Sequence, residues 1–316
     1  MSGRPRAGFV LLAVLWVMVG VSALGFGLAL LARRAAGTAH NRRAATVALW
    51  LAEGCASRAE AAIGDALAHR SGRDSTAVAD RVRQSWAGLD TAVATSAFIY
   101  DAPCAVTLRP GGTTIDVNTA DDSLLVHLFV ALGNAPAVAD SLADAVLDWR
   151  DADDVPRPNG AEASWYATQG REPPRNAAFA DVRELTRVRG LERRTGLDSL
   201  LGVEPYRIVL DRAPLAVITA LPGFTSEAVA RIADHRASGV PISDVLALSA
   251  ELSPSGRAAL LADYPDLVRL TTAEPDAWIL TARGTSGTPP VSVVLELVLV
   301  RAGNRAAIVR RRTWIQ

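Results

Sequence analysis

The sequence predicts an α+β fold in which a long N-terminal helix packs on an antiparallel sheet and a large helical domain is inserted into that sheet. Three observations lead to this prediction. Residues 9–32 form an apolar run without a charged residue. Strand-like segments lie on both sides of a helical block, and the last of them alternate as half-buried antiparallel strands do. We therefore divide the chain into residues 1–8, 9–32, 33–117, 118–275 and 276–316.

The N-terminal helix is long enough to cross a membrane. At about 1.5 Å per residue, residues 9–32 span roughly 36 Å, and the hydrocarbon core of a bilayer is about 30 Å thick. Arg33 and Arg34 follow the run directly, whereas a cleaved secretory signal would have a shorter apolar region that ends in small residues. Residues 44–68 are rich in alanine and contain no proline, so we expect the helix to continue to about His69.

Strand patterns flank the helical block. A helix is predicted over residues 74–86, and the segments after it predict strands at residues 94–100, 104–109 and 113–117. The turn residues Pro110, Gly111 and Gly112 predict a hairpin between the last two of these strands. At the other end of the chain, an antiparallel meander is predicted over residues 277–282, 291–301 and 306–315.

The block between the strand segments reads as short helices interrupted by glycine and proline. Residues 150–176 are rich in proline and predict an irregular loop. Helices are predicted over residues 121–132, 135–149, 179–188, 195–201, 214–221, 226–237, 242–248 and 254–262.

Composition excludes some classes of function. All 33 basic residues are arginine, and they balance 33 acidic residues for a net charge of zero. A neutral chain has no long-range field that attracts a polyanion. The histidines lie far apart, and no nucleophile elbow or phosphate-binding glycine loop occurs in the sequence. We therefore expect no enzyme and no nucleic-acid partner.

The two cysteines leave two interpretations open. Cys55 and Cys104 are too few for a disulfide scaffold, but they would form one bridge in an oxidising compartment. Both could equally be small buried hydrophobic residues.

An acidic segment predicts a metal site. Five carboxylates fall within 15 residues, at Asp148, Asp151, Asp153, Asp154 and Glu162. Hard oxygen ligands in an irregular loop suit Ca²⁺, which accepts six to eight oxygens in flexible geometry. An EF-hand is excluded because Val155 and Pro156 occupy its fifth and sixth positions. The alternative is a solvated acidic turn with arginine partners such as Arg150 and Arg157.

A second motif is similar to a helix-hairpin-helix. Leu221, Pro222, Gly223, Phe224 and Thr225 lie between two predicted helices. Hairpins that bind nucleic acid use two glycines, so that bare backbone N–H groups can meet a phosphate. Thr225 replaces the second glycine here, and no basic face forms around it. We interpret the motif as a packing unit, with a membrane-tethered DNA-binding protein of the competence type as the alternative.

The N-terminus resembles the leader of type IV prepilins and type II secretion pseudopilins. In those proteins a prepilin peptidase cuts on the cytoplasmic side between Gly and Phe and leaves the apolar helix on the mature chain. Gly8 and Phe9 stand in that position here. The resemblance implies a cleaved leader over residues 1–8 and a mature chain that begins with its transmembrane helix.

Three further segments resemble the type II secretion system protein K family in their content and order. They are residues 115–120, residues 148–162 and residues 179–190. The resemblance implies a pilin-like helix and sheet that carry a helical domain, in a minor pseudopilin at the tip of a periplasmic pseudopilus.

The same resemblance implies partners, location and ligands. Partners would be other minor pseudopilins, the prepilin peptidase and the bacterial inner membrane, with the C-terminal bulk of the single-pass protein in the periplasm. The protein would nucleate the pseudopilus. Similar proteins bind Ca²⁺ in the helical domain, and the expected ligands are Asp151, Asp153, Asp154 and Glu162, with Glu184 as an additional one. Export would allow a bridge between Cys55 and Cys104.

Overall fold

A computed structural model describes residues 7–68, 86–94 and 104–316, with side chains from Leu11 onward. Its α-helices are α1 Ala7–Ala68, α2 Leu89–Ala94, α3 Asp122–Ala131, α4 Pro136–Arg150, α5 Ala163–Thr168, α6 Leu215–Ala220, α7 Ser226–Ser238, α8 Val245–Ala250, α9 Pro254–Ala262 and α10 Tyr264–Leu270. Its strands are β1 Ala105–Pro110, β2 Ile115–Asp116, β3 Leu201–Gly202, β4 Ile208–Val209, β5 Thr271–Thr272, β6 Ala277–Ser286, β7 Val291–Ala302 and β8 Arg305–Ile315.

Helix α1 runs unbroken to Ala68, so the predicted continuation of the N-terminal helix is confirmed. Residues 11–43 are largely exposed, and from Ala44 onward one face is buried against the sheet. Small residues on that face let the two backbones approach closely. Gly284 of β6 is part of this contact, because an ideal Cβ there would lie 2.0 Å from the carbonyl oxygen of Ala48. The predicted packing of the helix on the sheet is therefore observed.

The sheet has the strand order β1-β6-β7-β8 and is antiparallel throughout. The C-terminal meander is confirmed. The predicted hairpin is wrong, since β1 pairs with β6 and residues Ile115 and Asp116 instead pair in parallel with Leu201 and Gly202. Of the first predicted strand, only Ala94 is described, and it ends α2; residues 95–100 lie outside the described residues.

Two tryptophans join the elements around the core between α1 and the sheet. Trp86 donates its indole N–H to the carbonyl oxygen of Pro275 at 2.7 Å, and Trp278 donates to the carbonyl oxygen of Trp86 at 2.9 Å. Both rings are fully buried, and a buried indole N–H needs such a partner. The helix predicted over residues 74–86 lies outside the described residues except for Trp86.

The inserted domain has a separate hydrophobic core, built from helices α3 to α10. The helices predicted from residues 121, 135, 214, 226, 242 and 254 are observed with shifts of up to three residues at their ends. Those predicted over residues 179–188 and 195–201 are wrong in type, because the chain forms short 3-10 helices at Val182–Arg187 and Leu197–Ser199. Helix α5 interrupts the predicted irregular loop, and α10 was not predicted.

Hydrogen bonds from the side chains of Asn118 and Arg150 stabilise the start of the inserted domain. The side chain of Asn118 pairs twice with Phe179, accepting its backbone N–H at 2.7 Å and donating to its carbonyl oxygen at 3.1 Å. The guanidinium of Arg150 donates to the carbonyl oxygens of Val117 and Ala120. These bonds tie the turn after β2 to the C-terminal end of α4, where the acidic segment begins.

Candidate functional site

The last two turns of α4 direct two carboxylates at the loop that follows. Asp144 and Asp148 lie four residues apart and therefore on one face of the helix. Asp144 accepts the backbone N–H of Asn159 at 3.0 Å, and both oxygens of Asp148 accept that of Arg157 at 3.3 Å. The two carboxylates of the helix thus bind backbone N–H groups of the proline-rich loop. The side chain of Asp148 is fully buried under this loop.

Gly160 makes room for the buried Asp148. An ideal Cβ at position 160 would lie 1.9 Å from Oδ2 of Asp148, a distance that no real side chain tolerates. Position 160 must therefore stay free of a side chain if Asp148 is to keep its place.

Three carboxylates converge at this point. One oxygen each from Asp148, Asp151 and Glu162 lie within 4.8 Å of one another. Glu162 is 1% exposed, and neither of its oxygens has a hydrogen-bond partner among the described residues. Oδ1 of Asp151 is also buried without a partner there. We call Asp148, Asp151 and Glu162 the acidic cluster.

The acidic cluster is electrostatically unfavourable as it stands. Burial, followed by the negative charges of Asp148 and Asp151, raises the pKa of Glu162 to about 7. Burial also raises the pKa of Asp148 and of Asp151, although backbone N–H groups and Arg157 act in the opposite direction on Asp148. Buried charges normally have partners. The guanidinium of Arg157 lies 3.6 Å from Asp148, but neither oxygen of Glu162 has a partner among the described residues. Glu162 therefore needs either a proton or a cation.

The residues present fit a hard divalent cation. All the converging atoms are carboxylate oxygens, which Ca²⁺ and Mg²⁺ prefer over the softer ligands of zinc or copper. The unpartnered oxygens of Glu162 and Asp151 have free lone pairs for a metal.

The structure brings together two of the five predicted ligands and separates the others. Asp151 and Glu162 belong to the acidic cluster. Asp153 accepts the backbone N–H of Val155 at 2.9 Å, and Asp154 accepts the side-chain amide of Asn176 at 3.0 Å. Glu184 caps the 3-10 helix at Val182–Arg187 by accepting the N–H groups of residues 180 and 181, and it pairs with Arg175. These three carboxylates therefore have other roles in the described residues.

The ligand set expected from the sequence omitted Asp148. Asp148 is one of the five carboxylates of the acidic segment, and it lies inside the helix α4. Its spacing from Asp144 is the signal that could have identified it, because two acids at i and i+4 next to a loop are positioned to bind that loop.

The helix-hairpin-helix-like segment lies elsewhere in the inserted domain, between α6 and α7. Gly223 adopts a positive φ of 70°, as a tight turn requires. Its free side faces α9, because an ideal Cβ would lie 2.8 Å from the carbonyl oxygen of Ala259 and 3.1 Å from the carboxylate of Asp263. This hairpin is unsuited to binding a phosphate, because its glycine is packed against α9 and lies beside a negatively charged carboxylate.

The predicted processing and disulfide residues lie on or against α1. Gly8 and Phe9 fall in its first turn. Cys55 of α1 is joined to Cys104 by a disulfide across the edge of the sheet, with their Cα atoms 6.5 Å apart. In the described part of the chain, α1 is the one helix that is long and apolar enough to cross a membrane.

The fold and site together define a class. A long apolar helix on an antiparallel sheet, with an inserted helical domain that carries an acidic cluster, is a pilin-like α+β protein. Residues 108–201 match the model of the family described as type II secretion system (T2SS), protein K. This segment, which contains the acidic cluster, is therefore similar to the type II secretion system protein K family, and the resemblance indicated by the sequence is confirmed.

Two similar proteins support the assignment. The type II secretion system protein K of Dickeya chrysanthemi is 36% identical over 99 residues, which are 31% of this chain and 26% of that protein. The match thus spans about a quarter of the relative's length. A chain in the crystal structure of the GspK-GspI-GspJ complex from the enterotoxigenic Escherichia coli type 2 secretion system has a TM-score of 0.57. It is 17% identical, with coverage of 89% of this chain and 99% of that chain, so this likeness concerns the fold.

Proposed function

We propose that this protein is a minor pseudopilin of a type II secretion system. The observation that carries the proposal is the combination of a pilin-like helix and sheet with an inserted domain whose first part, up to residue 201, matches the protein K family model. The fold likeness covers almost the whole of a chain solved together with GspI and GspJ. The partners of this chain would accordingly be two other minor pseudopilins.

The N-terminal helix would anchor the protein in the membrane after its leader is cleaved. A prepilin peptidase would cut between Gly8 and Phe9, and the mature chain would be anchored in the inner membrane by residues 9–32 with its folded body in the periplasm. Glycine before the scissile bond leaves the peptidase space that a larger side chain would fill. The apolar, uncharged run and the unbroken helix support this arrangement.

An exposed face of α1 supports assembly with other helices. Val47 and Trp50 lie one turn apart on the side of α1 that faces away from the sheet, and they are 42% and 71% exposed. Gly54 follows on the same face, with open space around it. A large aromatic side chain next to small residues is suited to packing against the helix of a neighbouring subunit.

The tip of the pseudopilus is the proposed position. Related pilins carry Glu as the fifth residue of the mature chain, where it meets the N-terminal ammonium group of the subunit ahead. Counted from Phe9, the fifth residue here is Ala13, and no acidic residue occurs before Glu53. A lone carboxylate inside the bilayer costs about 3 kcal/mol and is kept only where it has a partner. A subunit that lacks this glutamate needs no subunit ahead of it. The inserted domain would also obstruct the stacking of another subunit on top of this one.

Calcium is the proposed ligand of the acidic cluster. Asp148, Asp151 and Glu162 would hold it, and its charge would offset the repulsion among the buried carboxylates. Because the cluster fixes the loop after α4 to α5, Ca²⁺ would stabilise the inserted domain rather than take part in chemistry. We propose no enzymatic activity.

A crosslinking experiment tests the proposal. A photoreactive amino acid at position 50 of the full-length protein, expressed together with the neighbouring pseudopilins, should crosslink to the helix of one of them. The same group at position 261, where Leu261 is exposed on α9, serves as the control on the inserted domain. Crosslinks from position 261 only, or none to a pseudopilin, would contradict the proposal.

A further inference from the structure

The charges of this chain are strongly segregated. No acidic residue precedes Glu53, whereas six arginines do, at positions 4, 6, 33, 34, 42 and 43. They leave 27 of the 33 arginines for the rest of the chain, which carries all 33 acidic residues. The membrane end of the molecule is therefore basic, and the folded body has a net charge of −6.

Four of these arginines encircle α1 just beyond the apolar run. In a helix of about 100° per residue, Arg33, Arg34, Arg42 and Arg43 point in directions near 0°, 100°, 180° and 280°. All four are exposed, and none has an ion-pair partner among the described residues. We call these residues the arginine ring.

The arginine ring lies at the level of lipid headgroups. Arg33 and Arg34 follow the apolar run directly, and Arg42 lies roughly 14 Å further along the helix. The headgroup layer adds about 5 to 8 Å on each side of the hydrocarbon core, and the field of an anionic surface extends about 8 Å beyond it at physiological salt. A long arginine side chain can reach back toward the interface. The whole ring is therefore within range of the headgroups.

We propose that the arginine ring binds anionic phospholipid headgroups of the leaflet on the side of the folded body. The four arginines point to all sides of α1. A membrane surface surrounds the helix and can contact all four, whereas a partner helix would contact only one face. Lipid is therefore the ligand that fits the arginine ring. The inference rests on the membrane span of the proposed function.

The negative net charge of the folded body acts in the same direction as the arginine ring. Gly287, at the turn between β6 and β7, packs against Ala44, so the sheet begins immediately above the ring. A body of net negative charge is repelled by the anionic surface to which the ring is attracted. Both effects hold the sheet and the inserted domain away from the lipid, where other subunits can reach them.

Lipid retention tests the inference. The full-length protein is reconstituted in nanodiscs of equal parts phosphatidylcholine and phosphatidylglycerol, and the lipids retained after transfer into detergent are counted by native mass spectrometry. About fivefold enrichment of phosphatidylglycerol is expected, since one arginine near such a surface contributes a factor of this size. Replacing all four ring arginines by Gln should abolish the enrichment. The matched control replaces the exposed Arg193, Arg283, Arg305 and Arg312 of the body by Gln and should retain it.

The outcomes separate this inference from the proposed function. Equal retention of the two lipids by the native protein, or equal loss of enrichment in both quadruple variants, would overturn the arginine ring as a lipid site while leaving the anchor intact. Extraction of the native protein from vesicles by alkaline carbonate would overturn the membrane span and this inference together.

Discussion

Gly160 and Asp148 form a matched pair in which the missing side chain of one residue accommodates the buried carboxylate of the other. An ideal Cβ at position 160 would lie 1.9 Å from Oδ2 of Asp148. Through this contact the backbone of the loop and the end of α4 determine where the acidic cluster forms.

Replacing Gly160 with Ala should therefore disturb the acidic cluster. We expect a loss of about 1 to 3 kcal/mol in the free energy of unfolding, because Asp148 must move or the loop must shift. Urea denaturation of the part of the chain that follows the apolar run measures this loss. The control is Gly64→Ala in α1, where nothing lies within 4 Å of the added Cβ. That change should be neutral or stabilising by up to about 1 kcal/mol. Equal effects of the two substitutions would contradict the role of Gly160.

Calcium should raise the melting temperature of the part of the chain that follows the apolar run. At a free concentration of one hundred times Kd, the stabilisation is about 2.7 kcal/mol. Glu162→Gln should abolish most of this gain and yet stabilise the metal-free protein, because it removes one of three repelling carboxylates. Substitution of both Asp153 and Asp154 by Asn is the comparison. It should retain the Ca²⁺ effect if the acidic cluster alone holds the metal, and remove it if the wider acidic segment does. Identical melting with Ca²⁺ and with chelator would contradict metal binding.

The metal-free protein should lose stability as the pH rises from about 4.5 to about 7. The folded-state pKa of Glu162 is raised to about 7 from an ordinary value of 4.5. Between these values the folded state binds more protons than the unfolded state, so the free energy of unfolding falls as the pH increases. Denaturation in chelator across this range measures the slope. The slope should become shallower in Glu162→Gln, and a remainder would come from Asp148 and Asp151, whose pKa values burial also raises. An unchanged slope in that variant would assign it to other groups.

The bridge between Cys55 and Cys104 should be present in protein isolated without a reductant. It closes a separation of 49 residues in sequence, and the loss of a bridge of that span costs about 4 kcal/mol in the chain-entropy model. Thiol labelling of the unreduced, denatured protein should therefore find no free thiol, and reduction should lower the melting temperature. Two labelled thiols in the native preparation would show that the cysteines are unpaired.

Local patterns predicted the parts of the fold that depend on local sequence. The uncharged run before Arg33 specified α1, and the alternation after Ala277 specified the meander. The hairpin at Pro110, Gly111 and Gly112 failed for a physical reason. Gly111 is bare because the ring of Tyr206 occupies the place of its side chain, and Gly112 lies against the carbonyl group of Arg207. These glycines permit the close approach of a distant segment, which a turn signal does not reveal.

The sequence also predicted only part of the candidate site, because some of its contacts join segments that are distant in the chain. The density of carboxylates indicated a metal site, and Asp151 and Glu162 are in the cluster. Neither the burial of Asp148 nor the use of Glu184 as a helix cap can be read from spacing alone, because each depends on which loop folds against which helix.

The position of the protein in the pseudopilus can be measured by immunogold labelling. Pseudopili assembled from all subunits are purified and labelled with gold-conjugated antibody against the inserted domain, residues 118–275. We expect gold at one end of each fibre, together with fewer fibres when the gene is deleted. Gold distributed along the fibres, or fibres without any label, would contradict a minor pseudopilin at the tip.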